Sequence, residues 1–281
     1  MKKNRILKAI PAICLFLLAA ANAYAGAWTT EQGKSYHRFA LNHYVADESF
    51  DESGHSDPML WNGEFTDFNA NYYMEYGALD ELTAILSLYY KDIQREDDYY
   101  RYTTRGFGDV DMGLRYRLHT SDIGVFSIQG LVKLPMLYDE EDPLPLGNGQ
   151  YDVECRVLYG RSLWPWIPGY MNLETAYRLR ADNPADEFRY LVEVGSNLGK
   201  VFYARAKWDA IIGMNNADEA TDAYGNPTSA LEYDLSKLDF TVGWQMKQKI
   251  GLELGYAPAI LGETTAKGDT WTLAITFQPK R

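Results

Sequence analysis

Apolar and polar residues alternate with a period of two along most of this chain, in runs of about ten residues, and that pattern leaves few folds open. The last run is the clearest. In Trp271-Thr-Leu-Ala-Ile-Thr-Phe277 one face carries Trp271, Leu273, Ile275 and Phe277, the other Thr272, Ala274 and Thr276. Successive side chains of an extended strand point to opposite sides, so such a run has one apolar and one polar face. Ile250–Tyr256, Leu238–Met246, Phe202–Ile212, Phe188–Val194, Met171–Arg180 and Tyr151–Tyr159 repeat it. Phe126–Leu134, Asp109–Leu118, Glu81–Tyr90 and Asp67–Tyr76 do so too, and Ser35–Val45 does so more weakly. No long stretch past residue 26 has apolar residues at helical spacing.

These runs are all-β in character, and they assign their faces in an unusual way. Trp, Phe and Leu share one side while Arg, Glu and Asp share the other. A soluble β-sandwich also alternates, but it buries the apolar side and puts the charges in water. An antiparallel transmembrane β-barrel does the reverse: lipid meets the apolar face and a polar lumen meets the charged one. It therefore escapes hydropathy analysis, and the mean hydropathy of this chain is negative. Counting the runs gives about twelve strands. Short turns are expected at Lys247–Lys249, Ser196–Gly199, His119–Asp122 and Gly77–Asp80, and longer loops at Leu261–Asp269 and Gly213–Tyr233. With an even count, both termini and the short turns belong on the periplasmic side. Tyr72, Tyr76, Tyr90, Tyr151, Tyr159, Trp164, Trp166, Tyr177 and Trp271 near strand ends suit interfacial aromatic girdles.

The start of the chain sets the compartment. Lys2, Lys3, Arg5 and Lys8 precede an apolar stretch from Ala9 to Ala21, which ends in Ala23-Tyr24-Ala25. A basic region, a short apolar core and a small-x-small exit form a secretory signal peptide, and the apolar run is too short for a membrane anchor. Cleavage is expected after Ala25, with residues 26–281 forming the barrel in the cell outer membrane. The expected partners are the lipid bilayer, lipopolysaccharide, a small-molecule solute and the assembly machinery. That machinery commonly recognises a terminal aromatic residue, here Phe277.

Loss of the leader removes four cations and leaves 23 basic against 39 acidic residues, a net charge of −16. Such a protein repels phosphates and is a poor nucleic-acid partner. Cys155 is the one cysteine after the leader, so no intrachain disulfide is expected; its parity places it on the lipid-facing side. Acidic residues crowd the expected loops: Asp47, Glu48, Asp51, Glu52 and Asp57; Glu96, Asp97 and Asp98; Asp139, Glu140, Glu141 and Asp142; Asp218, Glu219 and Asp222. They either form a solvated negative surface or bind divalent cations that bridge lipopolysaccharide phosphates.

Two segments carry a family likeness. Gly106-Phe-Gly-Asp-Val-Asp-Met-Gly-Leu-Arg-Tyr-Arg-Leu118 has a G-x-G-D sequence before an alternating strand. Leu131-Val-Lys-Leu-Pro135 is followed by a loop ending Leu146-Gly-Asn-Gly-Gln150. Together they resemble the outer-membrane proteins of the MetA pathway of phenol degradation, a group of transporter-like proteins. Met136 stands where that family often has Thr-Gly. The resemblance implies a barrel over about residues 65–277 and passage of apolar or aromatic compounds. Neither Gly-x-Gly pair opens a helix, which excludes a nucleotide-binding reading.

Parity points a set of charged side chains inward: Arg115, Arg117, Lys133, Arg156, Arg178 and Arg205 against Glu75, Glu154, Glu174 and Glu193, with Arg189, Lys207, Asp209, Asp239 and Glu253 alongside. They form either a constriction that selects solutes or a salt-bridge network that fills a narrow bore. His37, His43, His55 and His119 are too scattered for a metal site, and no nucleophile–base pairing stands out. No metal, cofactor or enzymatic activity is expected. The function expected is passive passage of a small solute, with a plugged structural barrel as the alternative.

Overall fold

A computed structural model describes residues 26–279, apart from 136–137, 140–141, 182–183, 219–229 and 248. The expected leader and part of two acidic loops, including Glu140, Glu141, Glu219 and Asp222, lie outside the described residues. The elements are β1 (Ser35–Phe50), β2 (Ser56–Pro58), β3 (Glu64–Leu79), β4 (Leu82–Glu96), β5 (Arg101–Ser121), β6 (Gly124–Leu134) and β7 (Asp152–Ser162). Then come β8 (Gly169–Arg180), β9 (Glu187–Leu198), β10 (Phe202–Gly213), β11 (Asp234–Lys247), β12 (Ile250–Glu263) and β13 (Thr265–Phe277). Each strand pairs with its sequence neighbour, and β13 returns to β1. The result is a closed antiparallel barrel of twelve strands, with the three-residue β2 as a short flap on β1.

Closure is in register with the alternation. Phe39 faces Ile275, Leu41 faces Leu273 and His43 faces Trp271 across the β1–β13 seam, so the two apolar faces merge into one exterior. A slip of one residue would turn every side chain over. Burial is accordingly inverted. Phe39 is 57% exposed and Leu114 55%, whereas Glu75 and Glu154 are 1% exposed. Moving one such apolar side chain out of water is worth about 1.5–3 kcal/mol, so an exterior belt of them calls for hydrocarbon around it. Cys155 lies exposed on that belt, on the side its parity assigned.

The barrel has a turn end and a loop end. Residues 80–81, 122–123, 163–168, 199–201 and 248–249 connect strands at the first, and 51–63, 97–100, 135–151, 181–186 and 214–233 at the second. The turns after β3, β5 and β9 lie a few residues later than the alternation predicts, because those strands run on past the apolar belt. One expectation fails outright. The loop predicted over Leu261–Asp269 is a tight turn at Thr264 alone, with φ of 51°, between two strands that extend beyond the belt. For the same reason Asp47, Glu48 and Glu96 are strand residues and not loop residues. Above the bilayer both faces meet water, so the outward side need not stay apolar and the alternation fades while pairing continues.

Candidate functional site

The chain before β1 folds back into the bore at the turn end. Ala27 N donates to Asn172 Oδ1 at 3.2 Å, and Ser127 Oγ donates to Ala27 O at 2.5 Å. Arg115 Nη1 donates to Trp28 O at 3.0 Å. Thr30 N donates to Thr83 Oγ1 at 2.8 Å and its hydroxyl to Glu75 Oε2 at 3.1 Å. The Trp28 ring packs with Val125, Leu158 and Ala27, edge-on to Tyr170. Two wall glycines make room for it. A Cβ at Gly160 would stand 2.6 Å from the Trp28 ring, and one at Gly77 would stand 2.1 Å from Glu31 O. The alternation carries no sign of this segment, since it is not a strand and its contacts lie 45–145 residues away in sequence.

At the loop end, the connection between β6 and β7 folds inward. Leu144 and Leu146 are buried against Phe65 and Ile93, with Tyr44 and Tyr138 packed on them. Lys91 Nζ donates to Leu146 O at 3.2 Å, Tyr138 OH to Asp109 Oδ1 at 2.6 Å, and Gly149 N to Tyr138 OH at 2.8 Å. The glycine-rich segment 146–150 of the family resemblance is therefore the part that enters the barrel mouth. A Cβ at Gly147 would stand 2.4 Å from Asp109 Oδ1, so the close approach needs a glycine there.

Between these two fillings lies a cavity of about 880 Å³ on the barrel axis. Of the ten charged residues that parity singled out, Glu75, Arg115, Arg156, Glu174, Glu193 and Arg205 line it. Lys133, Glu154 and Arg178 point inward but lie within the wall network. Arg117 lies apart, at the turn end, paired at 3.5 Å with the exposed Glu81. The N-terminal segment takes up the bore at that level and separates Arg117 from the cavity.

Pairing within the network is dense. Glu75 meets Arg115 at 3.1 Å and accepts from Tyr73 OH at 2.6 Å. Glu253 receives Arg38 Nε at 2.9 Å, Arg205 Nη2 at 3.1 Å and Tyr203 OH at 2.7 Å. Glu154 lies among Arg156, Arg178 and Arg189 at 2.8, 2.9 and 3.5 Å, and Arg156 also reaches Glu174. Lys133 bridges Asp152 at 3.0 Å and Asp109 at 3.4 Å. Glu193 accepts from Tyr170 OH at 2.6 Å. Buried carboxylates with two or three partners hold their positions, because the low local dielectric penalises any break.

Tyr36, Tyr44, Tyr73, Tyr89 and Tyr233 also line the cavity. Position near strand ends points tyrosines chiefly to the girdles. Parity held the missing signal: Tyr73 lies two residues from Asn71 and from Glu75, both inward. Outside the membrane span, the Asp97 carboxylate accepts from Tyr99 N and Tyr100 N at 2.8 Å each, which holds it below the usual carboxylate range. Among the described residues no group of His, Cys, Asp and Glu is arranged to hold a metal ion.

No protein-family model and no curated relative matches the chain. Solved structures do. An outer membrane channel from Pseudomonas putida F1 superposes with a TM-score of 0.72 at 14% identity, over 90% of this chain and 98% of that one. The NanC porin superposes with a TM-score of 0.52 at 9% identity, over 84% of this chain and 98% of that one. At such identities the likeness is one of fold. The barrel is of the kind formed by Gram-negative outer-membrane channels and porins.

Proposed function

We propose that this chain is a passive outer-membrane channel for small solutes, and that it belongs with the MetA-pathway proteins of phenol degradation. The observation that carries the reading is the 880 Å³ cavity on the barrel axis, walled by tyrosines as well as charges. That size suits one small organic molecule. A tyrosine offers an apolar ring and a polar tip, so a wall of them accepts aromatic solutes without excluding water. The inward Leu144–Asn148 segment, part of the family-like sequence, narrows the mouth. The named channel from Pseudomonas putida F1 supports the same class of protein. In this reading residues 1–25 are a cleaved leader, lipopolysaccharide surrounds the loop end, and the assembly machinery recognises Phe277. Replacing Phe277 by Ala then lowers the folded, heat-modifiable fraction, while removing the four residues after it does little.

Single-channel recording in planar bilayers tests the proposal. Discrete conductance steps are the expected result. A second reading, a structural barrel with a plugged lumen, draws on the N-terminal segment bound inside the bore. A silent bilayer with correctly folded protein would decide for it.

A further inference from the structure

Among the described residues, two charges in the cavity stand outside the pairing network, and they lie on opposite walls. Lys237 on β11 lines the cavity. Among the described residues no carboxylate reaches ion-pair distance of its Nζ, which sits 5.2 Å from the centre of the Tyr44 ring. Its register partner on β10 is Asp209, and Lys207 nearby is paired with Asp239 at 3.5 Å. Asp111 on β5 lines the cavity too. Among the described residues its Oδ1 is buried without a hydrogen-bond partner, because Lys133, its register partner, is taken by Asp109 and Asp152. In the ring of twelve strands β5 and β11 are six places apart, on opposite walls. A buried acceptor left unbonded is costly, and a solute that brings a donor relieves that cost. An ammonium with no carboxylate in ion-pair contact attracts an anion.

We infer that the cavity is a binding site for small, rigid organic acids with a carboxylate at one end and a hydrogen-bond donor at the other. Lys237 reads the carboxylate, and Asp111 reads the donor. The inference rests on the channel reading and adds the solute class. Neither residue takes part in the Glu75, Glu154 or Glu253 networks, so both can be changed without unpairing a buried arginine.

The test is uptake into proteoliposomes of three probes: 4-hydroxybenzoate, benzoate and phenol. In wild-type protein 4-hydroxybenzoate is expected to be preferred about tenfold over either of the others. Lys237→Gln removes the preference over phenol and leaves that over benzoate; Asp111→Leu, which has no acceptor, does the opposite. Lys237→Arg keeps the charge and the preference, and checks folding together with the heat-modifiable band. Equal uptake of all three probes by wild type overturns the inference while passage itself stands. Unchanged preferences in folded Lys237→Gln and Asp111→Leu variants overturn the assignment of these residues. No uptake of any probe and no conductance overturn the channel reading and the inference with it.

Discussion

The two ends of the bore are filled by different proportions of polar and apolar contact. At the turn end, the backbone of Ala27–Thr30 donates hydrogen bonds to Asn172 and Thr83 and accepts them from Ser127 and Arg115. One of those partners, Arg115, is also the cation of buried Glu75. At the loop end, Leu144 and Leu146 are held chiefly by contact with Phe65, Ile93 and Tyr44. A hydrogen-bonded filling in a dry site is rigid, because each broken bond leaves a buried polar group. An apolar clasp next to water gives way more easily, since exposed leucines cost only their transfer energy. The difference assigns the fixed boundary of the cavity to the turn end and the movable one to the loop end.

The comparison depends first on which end faces outward. Ser53 and Lys200 are exposed at the loop end and the turn end. Ser53→Cys is expected to react with a membrane-impermeant thiol reagent on intact cells, and Lys200→Cys is not. The reverse labelling would invert the assignment of the two ends. The next largest effect belongs to Arg115. Its replacement by Ala strands the Glu75 carboxylate and releases Trp28 O, at an expected cost of about 3–5 kcal/mol. A lower urea midpoint for the heat-modifiable form reports it. Arg117→Ala, two residues away, removes only an exposed pair with Glu81 and is expected to stay within about 1 kcal/mol. Equal losses in the two variants would break the claim that the N-terminal segment divides them.

Replacing Leu144 and Leu146 together by Ala is expected to raise conductance about twofold or more while the urea midpoint of the barrel hardly moves. The clasp closes the mouth and does not hold the strands together. A fall in midpoint as large as that of Arg115→Ala would make the loop part of the barrel's own stability. The smallest effect concerns the rim. Asp97 has a lowered pKa through its bonds to Tyr99 N and Tyr100 N. Its contribution is present above the usual Asp pKa of about 3.9 and fades as pH falls through the lower folded value. Trp61, edge-on to Tyr99 at 5.7 Å, is expected to change its fluorescence in that range, and Asp97→Asn should abolish the change.

Much of the wall was legible in the residues. Leu273, Leu41 and Leu254 share one exterior patch, and Glu75, Arg115, Glu154 and Glu253 share the interior, as period two requires. The contents of the bore were not. Nothing local to Trp28 or Leu144 sets them apart from leader-proximal or loop residues. Their places depend on Gly160 and Gly77 leaving room and on Phe65 and Ile93 offering an apolar pad. For Arg117, parity states which way the side chain points and not what already occupies that level.

By itself, then, the sequence determined the closed barrel, its inside and its outside, because side-chain alternation is a property of neighbouring residues and is written along every strand. The tertiary structure alone decided how the lumen is divided. It chose Ala27–Thr30 to fill one end and Leu144–Leu146 to narrow the other, and left Lys237 and Asp111 lining the space between, outside the ion pairs of the described residues. Those outcomes depend on residues far apart in the chain competing for one enclosed volume, and such a competition is settled only when the barrel closes.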